Sequence, residues 1–452
     1  MKQALLQRSS HRSSTARWAI RYLAALAGTI VALAACTATV TILIDPYNLF
    51  GTPRIAGFNR FKPQAYNRGV AAKTALLERT HPRTLLLGNS RLEIGFNPQS
   101  AEWPASMQPV FDGALGGHGL DIAAKLLEDA AAEPTLHYVL VGADIVDFLS
   151  LDSHGSPDEP VNAGPDQDRM RLLPNLSPNP NYLRARIEDW LGATLTLGAV
   201  TDSITTLQQQ WNAFPATMTP RGFNPLLPYE SYVMQHGFRD LFDQKQTQYA
   251  AWFASCPHPS FADPYRSRGF RALREIVEVA HERKLDLTLI IYPYHAWLVD
   301  LMRRDGLWDS FEDWKRALVR VVAALDPDRQ VRIVDFSGYN AYTTEAVPSP
   351  GDTRSDMKWY WEPGHFRSSL GDAMIRRLFD DQNSSFGRVI NSSTIDQVNR
   401  SIRQEAALYS ERTAMDVRHD RSGGSLDSAG DGAIFRVDAN RHQEIACSHY
   451  GF

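Results

Sequence analysis

The stretch Thr84-Leu-Leu-Leu-Gly-Asn-Ser-Arg91 is an apolar run that stops abruptly at Gly-Asn-Ser. It predicts a short buried strand that delivers Ser90 to a tight turn, because Gly88 permits a sharp exit from the strand. If a helix begins at Ser90, the backbone N–H of that residue points at the place where an anionic oxygen binds. This stretch therefore decides both the fold that we predict and the position of its candidate site.

Strand-like and helix-like segments alternate along the rest of the chain. Further apolar runs of strand length occupy residues 109–111, 138–141, 285–292 and 331–336. Apolar residues recur at helical spacing in residues 120–132, 270–284, 311–325 and 369–379. This alternation predicts an α/β fold with a flavodoxin-like, parallel five-stranded sheet, in which the site lies beyond the carboxyl ends of the strands.

Two parts of the chain interrupt this alternation. Residues 149–264 contain proline and asparagine clusters, a helix-like stretch at 182–210 and what we interpret as aromatic-rich turns at 227–232. We expect an insertion in a domain that spans residues 45–382, either a lid over the site or an addition to the packing. Residues 383–452 carry one narrow apolar stripe, which predicts an amphipathic helix, and then a polar tail for which we expect disorder.

The N-terminal region is the most apolar part of the chain. Residues 22–44 carry no charged side chain, and about 20 such residues span a bilayer as a helix. Because five Lys or Arg residues precede this run, we expect residues 1–21 in the cytoplasm and the main domain outside the membrane. A retained signal anchor is our interpretation; a cleaved signal peptide and a lipoprotein signal at Leu33-Ala-Ala-Cys36 are the alternatives.

Charge and cysteine content exclude several classes of protein. A net charge of −4 gives no reason to expect a nucleic-acid partner. Cys36 lies in the apolar run, and the positions of Cys256 and Cys447 give no reason for them to pair. Cys256 and His258 are metal-ligand types without a completing pair nearby, so we predict neither a metal nor a cofactor.

A second informative segment, Trp361-Glu-Pro-Gly-His-Phe366, lies far downstream. A serine hydroxyl becomes a good nucleophile when a neighbouring base takes its proton, and that base needs a third group to fix its orientation. Ser90, His365 and Glu362 are residues of these three types. In the glycine-rich segment 111–118, we predict that Gly117 supplies a second oxyanion donor beside the Ser90 N–H.

This order of motifs resembles the SGNH (GDSL-like) hydrolase superfamily. Gly88-Asn-Ser-Arg91 is similar to its serine block, Gly117 to the glycine of its second block, and Glu362-Pro-Gly-His365 to its final Asp-x-x-His block. Glutamate replaces the aspartate of that final block, and Asp144 stands where the third block has an asparagine that donates to the oxyanion. An ionised aspartate has no proton to donate, so either Asp144 is turned away or protonated, or the oxyanion hole has only two donors.

Within the superfamily, the chain looks most like membrane-anchored envelope proteins of polysaccharide O-acetylation and D-alanine transfer. The similarity lies in the N-terminal anchor, the Asp45-Pro-Tyr segment outside it and the large exported domain. It implies a single-pass protein of the bacterial inner membrane, an esterase or O-acyltransferase for acyl esters of a cell-envelope or extracellular polysaccharide. Other proteins of an acylation system are then expected partners. The alternative is a non-catalytic glycan-binding or assembly component, which Asp144 in the oxyanion block favours.

Four further residues are candidates for substrate binding. Arg91 adjoins the serine, where it either positions substrate or pairs with Glu93. His118 follows Gly117, and His295 follows the fourth predicted strand. Asp144 is included because of its place in the third block. For each of them, a purely structural role is the alternative.

Overall fold

The computed structural model describes residues 2–150, 166–255, 258–259, 267–328, 330–380 and 386–423. Its α-helices are α1 (Lys2–Ile44), α2 (Gly69–Thr80), α3 (Ser90–Gly95), α4 (Leu120–Ala130), α5 (Tyr182–Thr194), α6 (Leu197–Gln209), α7 (Leu227–Ala254), α8 (Arg268–Arg283), α9 (Ala296–Arg304), α10 (Trp308–Leu325), α11 (Ser368–Phe379) and α12 (Ile395–Gly423). Its strands are β1 (Thr84–Leu87), β2 (Val110–Asp112), β3 (Tyr138–Ala143), β4 (Leu149–Ser150), β5 (His258–Pro259), β6 (Asp286–Ile291), β7 (Arg332–Asp335), β8 (Tyr360–Glu362), β9 (His365–Phe366) and β10 (Arg388–Val389).

A six-stranded sheet in the order β10-β7-β6-β3-β1-β2 forms the centre of the molecule. Its strands pair in parallel except β10, which runs antiparallel to β7 at one edge. Strands β1 and β3 are buried along their whole length, as expected for a parallel sheet covered by helices. The predicted α/β class is confirmed, but the sheet has six strands rather than five. The sixth, β10, is only two residues long and includes an arginine, so no apolar run reveals it.

The structure corrects two predictions within the insertion. The helix-like stretch at 182–210 is two helices, because the chain breaks at Leu195-Thr196 and Thr196 Oγ1 caps α6 by accepting the Ala199 N–H at 3.1 Å. The segment predicted to form turns at 227–232 is the beginning of α7. Pro228 lies in the first turn of this helix, where a missing N–H costs no helical hydrogen bond.

Helix α1 is continuous, and its residues 17–44 are long and apolar enough to cross a membrane, with a mean hydropathy of 2.1 over an 18-residue window. It is the one helix of this kind in the described ranges. At 1.5 Å per residue, these 28 residues extend about 42 Å, longer than a hydrocarbon core of about 30 Å. The predicted span at 22–44 lies inside this stretch.

At the other end of the chain, α12 packs on α10 and buries Ile395, Val398, Ile402 and Ala406 of the predicted apolar stripe. Residues 424–452 of the expected disordered tail, together with Cys256 and Cys447, lie outside the described residues.

Candidate active site

Ser90 is the first residue of α3, separated from β1 by Gly88 and Asn89. Asn89 caps the helix, since its side-chain oxygen accepts the Arg91 N–H at 3.1 Å. The next two N–H groups of the turn bond to the Asn89 carbonyl. The Ser90 N–H has no acceptor within the described ranges, so it is free to bind an oxygen of a substrate.

Two consecutive hydrogen bonds join Ser90, His365 and Glu362. Ser90 Oγ lies 2.8 Å from His365 Nε2, and His365 Nδ1 bonds to Glu362 Oε1. Glu362 is fully buried, and its second oxygen accepts the Gly364 N–H at 2.8 Å. Burial raises the pKa of Glu362, but the adjacent imidazole and the Gly364 N–H outweigh burial and leave this pKa below its ordinary value. A carboxylate in this position holds the proton on Nδ1, so that Nε2 can accept the serine proton.

A small antiparallel hairpin brings the histidine and the glutamate together. Glu362 of β8 pairs with His365 of β9 across a Pro-Gly turn. A Cβ placed on Gly364 would lie 2.0 Å from the Tyr249 hydroxyl, so α7 packs directly on this turn and only glycine fits. The three-residue spacing of the two side chains is therefore the spacing of a tight hairpin.

The loop between β2 and α4 borders the serine. A Cβ placed on Gly116 would lie 3.4 Å from Ser90 Cβ. Gly117 has a φ of +75°, a conformation that favours glycine, and it is exposed. Its N–H has no acceptor in the part of the chain that the structure describes, whereas the Gly116 N–H donates to Glu93 Oε2 at 3.0 Å. Gly117 thus has a free backbone donor in the loop that borders Ser90.

Glu93 and Lys73 support this loop from the interior. Lys73 Nζ lies 3.2 Å from Glu93 Oε1 and donates to two backbone carbonyls, at 3.0 and 2.7 Å. Burial raises the pKa of Glu93, and Lys73 and the Gly116 N–H offset only part of that shift. The pairing of Glu93 with Arg91 that the sequence suggested is therefore wrong, because Glu93 pairs with Lys73 instead.

Asp144 lies buried behind the serine with both oxygens bonded to other groups. Its Oδ2 accepts Asn89 Nδ2 at 2.7 Å and an ion-paired nitrogen of Arg91. Its Oδ1 accepts the Tyr294 hydroxyl at 2.6 Å and the Val146 N–H at 3.2 Å. Among the alternatives considered for this residue, the geometry corresponds to an Asp144 that is turned away from the oxyanion.

Arg91 links the helix that begins at Ser90 to the turn that carries His365. Besides its ion pair with Asp144, its Nε donates to the Gly364 carbonyl at 2.9 Å and its Nη2 to the Tyr249 hydroxyl at 3.2 Å. Burial favours the neutral form, but Asp144 outweighs it and the pKa of Arg91 is raised. The guanidinium is thus occupied inside the protein, which is the arrangement of a positioning residue rather than a substrate ligand.

The two remaining histidine candidates have different surroundings. His118 is exposed in the loop between β2 and α4, with Nδ1 3.0 Å from the Gly116 carbonyl, and it stays a candidate for substrate binding. His295 is fully buried: its Nε2 lies 2.9 Å from the Glu345 carbonyl, and its Nδ1 accepts the Trp297 N–H at 3.2 Å. Burial lowers the pKa of His295 to about 4. Both of its ring nitrogens are used within the fold, which leaves none for a substrate.

Sequence reasoning missed two tyrosines that support the site. Tyr294 precedes His295, and its hydroxyl bonds to Asp144 behind the serine. Its position just after β6, at the carboxyl edge of the sheet, is a signal that could have placed Tyr294 near the site. Tyr249 lies near the C-terminal end of α7, within the insertion, and no local pattern connects it with a site near Arg91.

Taken together, these residues define an α/β protein with a Ser–His–Glu array at the carboxyl edge of a mostly parallel sheet. Neither a protein-family model nor a curated protein matches this chain in sequence. Among the described residues, no group of three or more His, Cys, Asp or Glu side chains is arranged to hold a metal ion. A functional interpretation therefore depends on the geometry of the array itself.

Proposed function

We propose that this chain is an SGNH-like serine esterase or O-acyltransferase. The observation that carries the proposal is the hydrogen-bonded series from Ser90 Oγ through His365 to the buried Glu362. The order of the parallel strands also supports it, because numbering only these strands along the chain gives 2-1-3-4-5, the flavodoxin-like order. In that arrangement, the ends of neighbouring strands bring distant segments to one site.

The reaction begins when Ser90 Oγ attacks the carbonyl carbon of an acyl ester and passes its proton to His365 Nε2. The N–H groups of Ser90 and Gly117 bind the oxyanion of the tetrahedral intermediate. The bond to the leaving alcohol then breaks as His365 gives that oxygen its proton, and the acyl group remains on Ser90. Water or a sugar hydroxyl attacks the acyl-serine by the same proton route, which gives hydrolysis or transfer and frees Ser90.

The membrane arrangement is the second part of the proposal. The basic side chains before the apolar run and Asp45 after it support a cytoplasmic N-terminus and an exported domain. An acyl ester of an envelope or extracellular polysaccharide is then the substrate class, as the resemblance to envelope acylation proteins implies.

A serine-directed fluorophosphonate probe, applied to the full chain in detergent, tests the core of the proposal. We expect labelling of the wild type, none of Ser90→Ala, and unchanged labelling of the matched control Ser355→Ala, which alters an exposed serine in another loop. Glu362→Gln should slow labelling by about 10³–10⁴-fold, because the amide no longer holds the required tautomer.

Turnover of a small acyl ester is the second measurement. If Ser90→Ala and His365→Ala turn over the ester as fast as the wild type, the proposed mechanism is wrong. If the wild type is not labelled but binds polysaccharide, the non-catalytic alternative replaces it.

A further inference from the structure

Helices α5 and α6 expose an apolar tip where they meet. Residues 190–201, here called the α5–α6 tip, carry no charged side chain. The most exposed apolar residue of the tip is Leu197, at 80%. Trp190, Leu191 and Leu195 are also exposed. Contiguous exposed apolar residues of this kind mark a contact surface in a protein that is otherwise well packed.

The tip lies against α1, which the proposed function places in the membrane, and the inference below rests on that placement. Helix α1 contacts both α5 and α6, and Thr41 Oγ1 lies 3.3 Å from the Thr194 carbonyl in the tip. Thr41 is buried, and Ala34, Thr37 and Ala38 on the same side of α1 are half-buried while the residues around them are exposed. These side chains are small, which allows helices to approach closely.

The position of this contact along α1 determines how deep in the bilayer the α5–α6 tip lies. The uncharged run of α1 ends at Ile44. At 1.5 Å per residue, Thr41 lies about 5 Å and Ala34 about 15 Å further towards the N-terminus. A segment packed at these levels lies at the depth of the lipid headgroups and the outer ends of the acyl chains, the depth that interfacial helices occupy.

We infer that the α5–α6 tip inserts into the lipid bilayer beside α1 and forms a second membrane contact of the domain. Lipid is the occupant because the tip continues the apolar surface of α1, so that any protein covering it has to lie at membrane depth as well. Trp190 stands at the border between the uncharged tip and Asp189, a position typical of interfacial aromatic residues. Two contacts, rather than one flexible anchor, then fix the orientation of the domain on the membrane.

Site-specific fluorescence quenching tests this inference on the full chain. The native cysteines are removed by Cys36→Ser, Cys256→Ser and Cys447→Ser, and a fluorophore is attached at Leu197→Cys. The protein is reconstituted in phosphatidylcholine and phosphatidylglycerol vesicles whose acyl chains carry bromine. We expect the label at position 197 to lose fluorescence to a degree similar to a reference label at Val40→Cys in α1.

The matched control is Leu408→Cys, another exposed leucine, on α12. Its label should be quenched by aqueous iodide and not by the brominated lipid. The inference is overturned if the label at 197 behaves like the one at 408, or if the label at Val40 also escapes the lipid. It is equally overturned if Leu197→Cys forms disulfides between copies in the vesicle, which would make a second chain the occupant.

Discussion

Replacing Asp144 with asparagine distinguishes a structural carboxylate from one that acts at the oxyanion. Asp144 accepts hydrogen bonds from Asn89, Arg91, Tyr294 and Val146, and it is fully buried. Asp144→Asn keeps the shape but removes the charge that balances the buried guanidinium. Breaking one side of a buried ion pair costs about 3–5 kcal/mol, so we expect a loss of that size in the free energy of unfolding.

The assay is urea unfolding of the full chain in detergent, combined with ester turnover per folded molecule. Turnover by Asp144→Asn should fall, because Arg91 no longer holds the Gly364 carbonyl of the turn that carries His365. The control is Asp147→Asn, three residues further on. Burial and the neighbouring Asp144 raise the pKa of Asp147 well above its ordinary value. The Asp147 carboxyl group is therefore less ionised, and its replacement by an amide removes less charge.

The opposite result has a clear meaning. A carboxylate that faces the oxyanion repels it, and its replacement by a donor amide should then raise turnover. If Asp144→Asn is as stable as the wild type and turns over ester faster, the assignment of Asp144 as a structural residue is refuted.

Two further predictions concern the loop between β2 and α4 and the acid stability of the fold. Glu93→Gln weakens the acceptor of the Gly116 N–H and leaves Lys73 without its closest charge, so kcat for ester turnover should fall by about 10–100-fold with little change in KM. An unchanged kcat would show that the loop is held by other contacts. Because burial lowers the pKa of His295 to about 4, below the value of about 6.5 expected in the unfolded chain, the unfolded state binds more protons between these values. The free energy of unfolding should therefore fall as pH drops through this window, by up to about 3 kcal/mol. The variant His295→Asn keeps an acceptor for the Trp297 N–H. Its free energy of unfolding, measured with urea at pH 4–7, should depend less steeply on pH than that of the wild type.

The sequence predicted those parts of the fold whose signal is local. Strands β1, β3 and β6 are apolar runs ending in turn residues, and α8 and α10 repeat their apolar residues at helical spacing, so each is visible in a short window. Strand β10 is not, because only its pairing with β7 makes it a strand.

The residues of the candidate site likewise divide into those with a local signal in the sequence and those without one. Ser90 was predictable because it follows a parallel strand, whose carboxyl end lies at the edge where sites form, and the Glu362–His365 pair because its three-residue spacing is visible in the sequence. The direction of Asp144 was not predictable, since it depends on donors from Asn89, Arg91 and Tyr294 in separate segments. For the same reason the sequence does not reveal that His295, which we predict as a substrate contact, lies in the core.

Two features that the sequence presented as unrelated, an arginine after the nucleophile and an aspartate in the oxyanion block, are the two halves of one ion pair. This explains how a buried carboxylate is accommodated close to Ser90: Arg91 neutralises it, and Asn89 and Tyr294 hold it facing inward. The same arginine reaches the Gly364 carbonyl, so the pair also fixes the distance between the serine helix and the histidine turn. The charge of Asp144 is therefore balanced inside the fold, and the backbone N–H groups of Ser90 and Gly117 have no acceptor among the described residues.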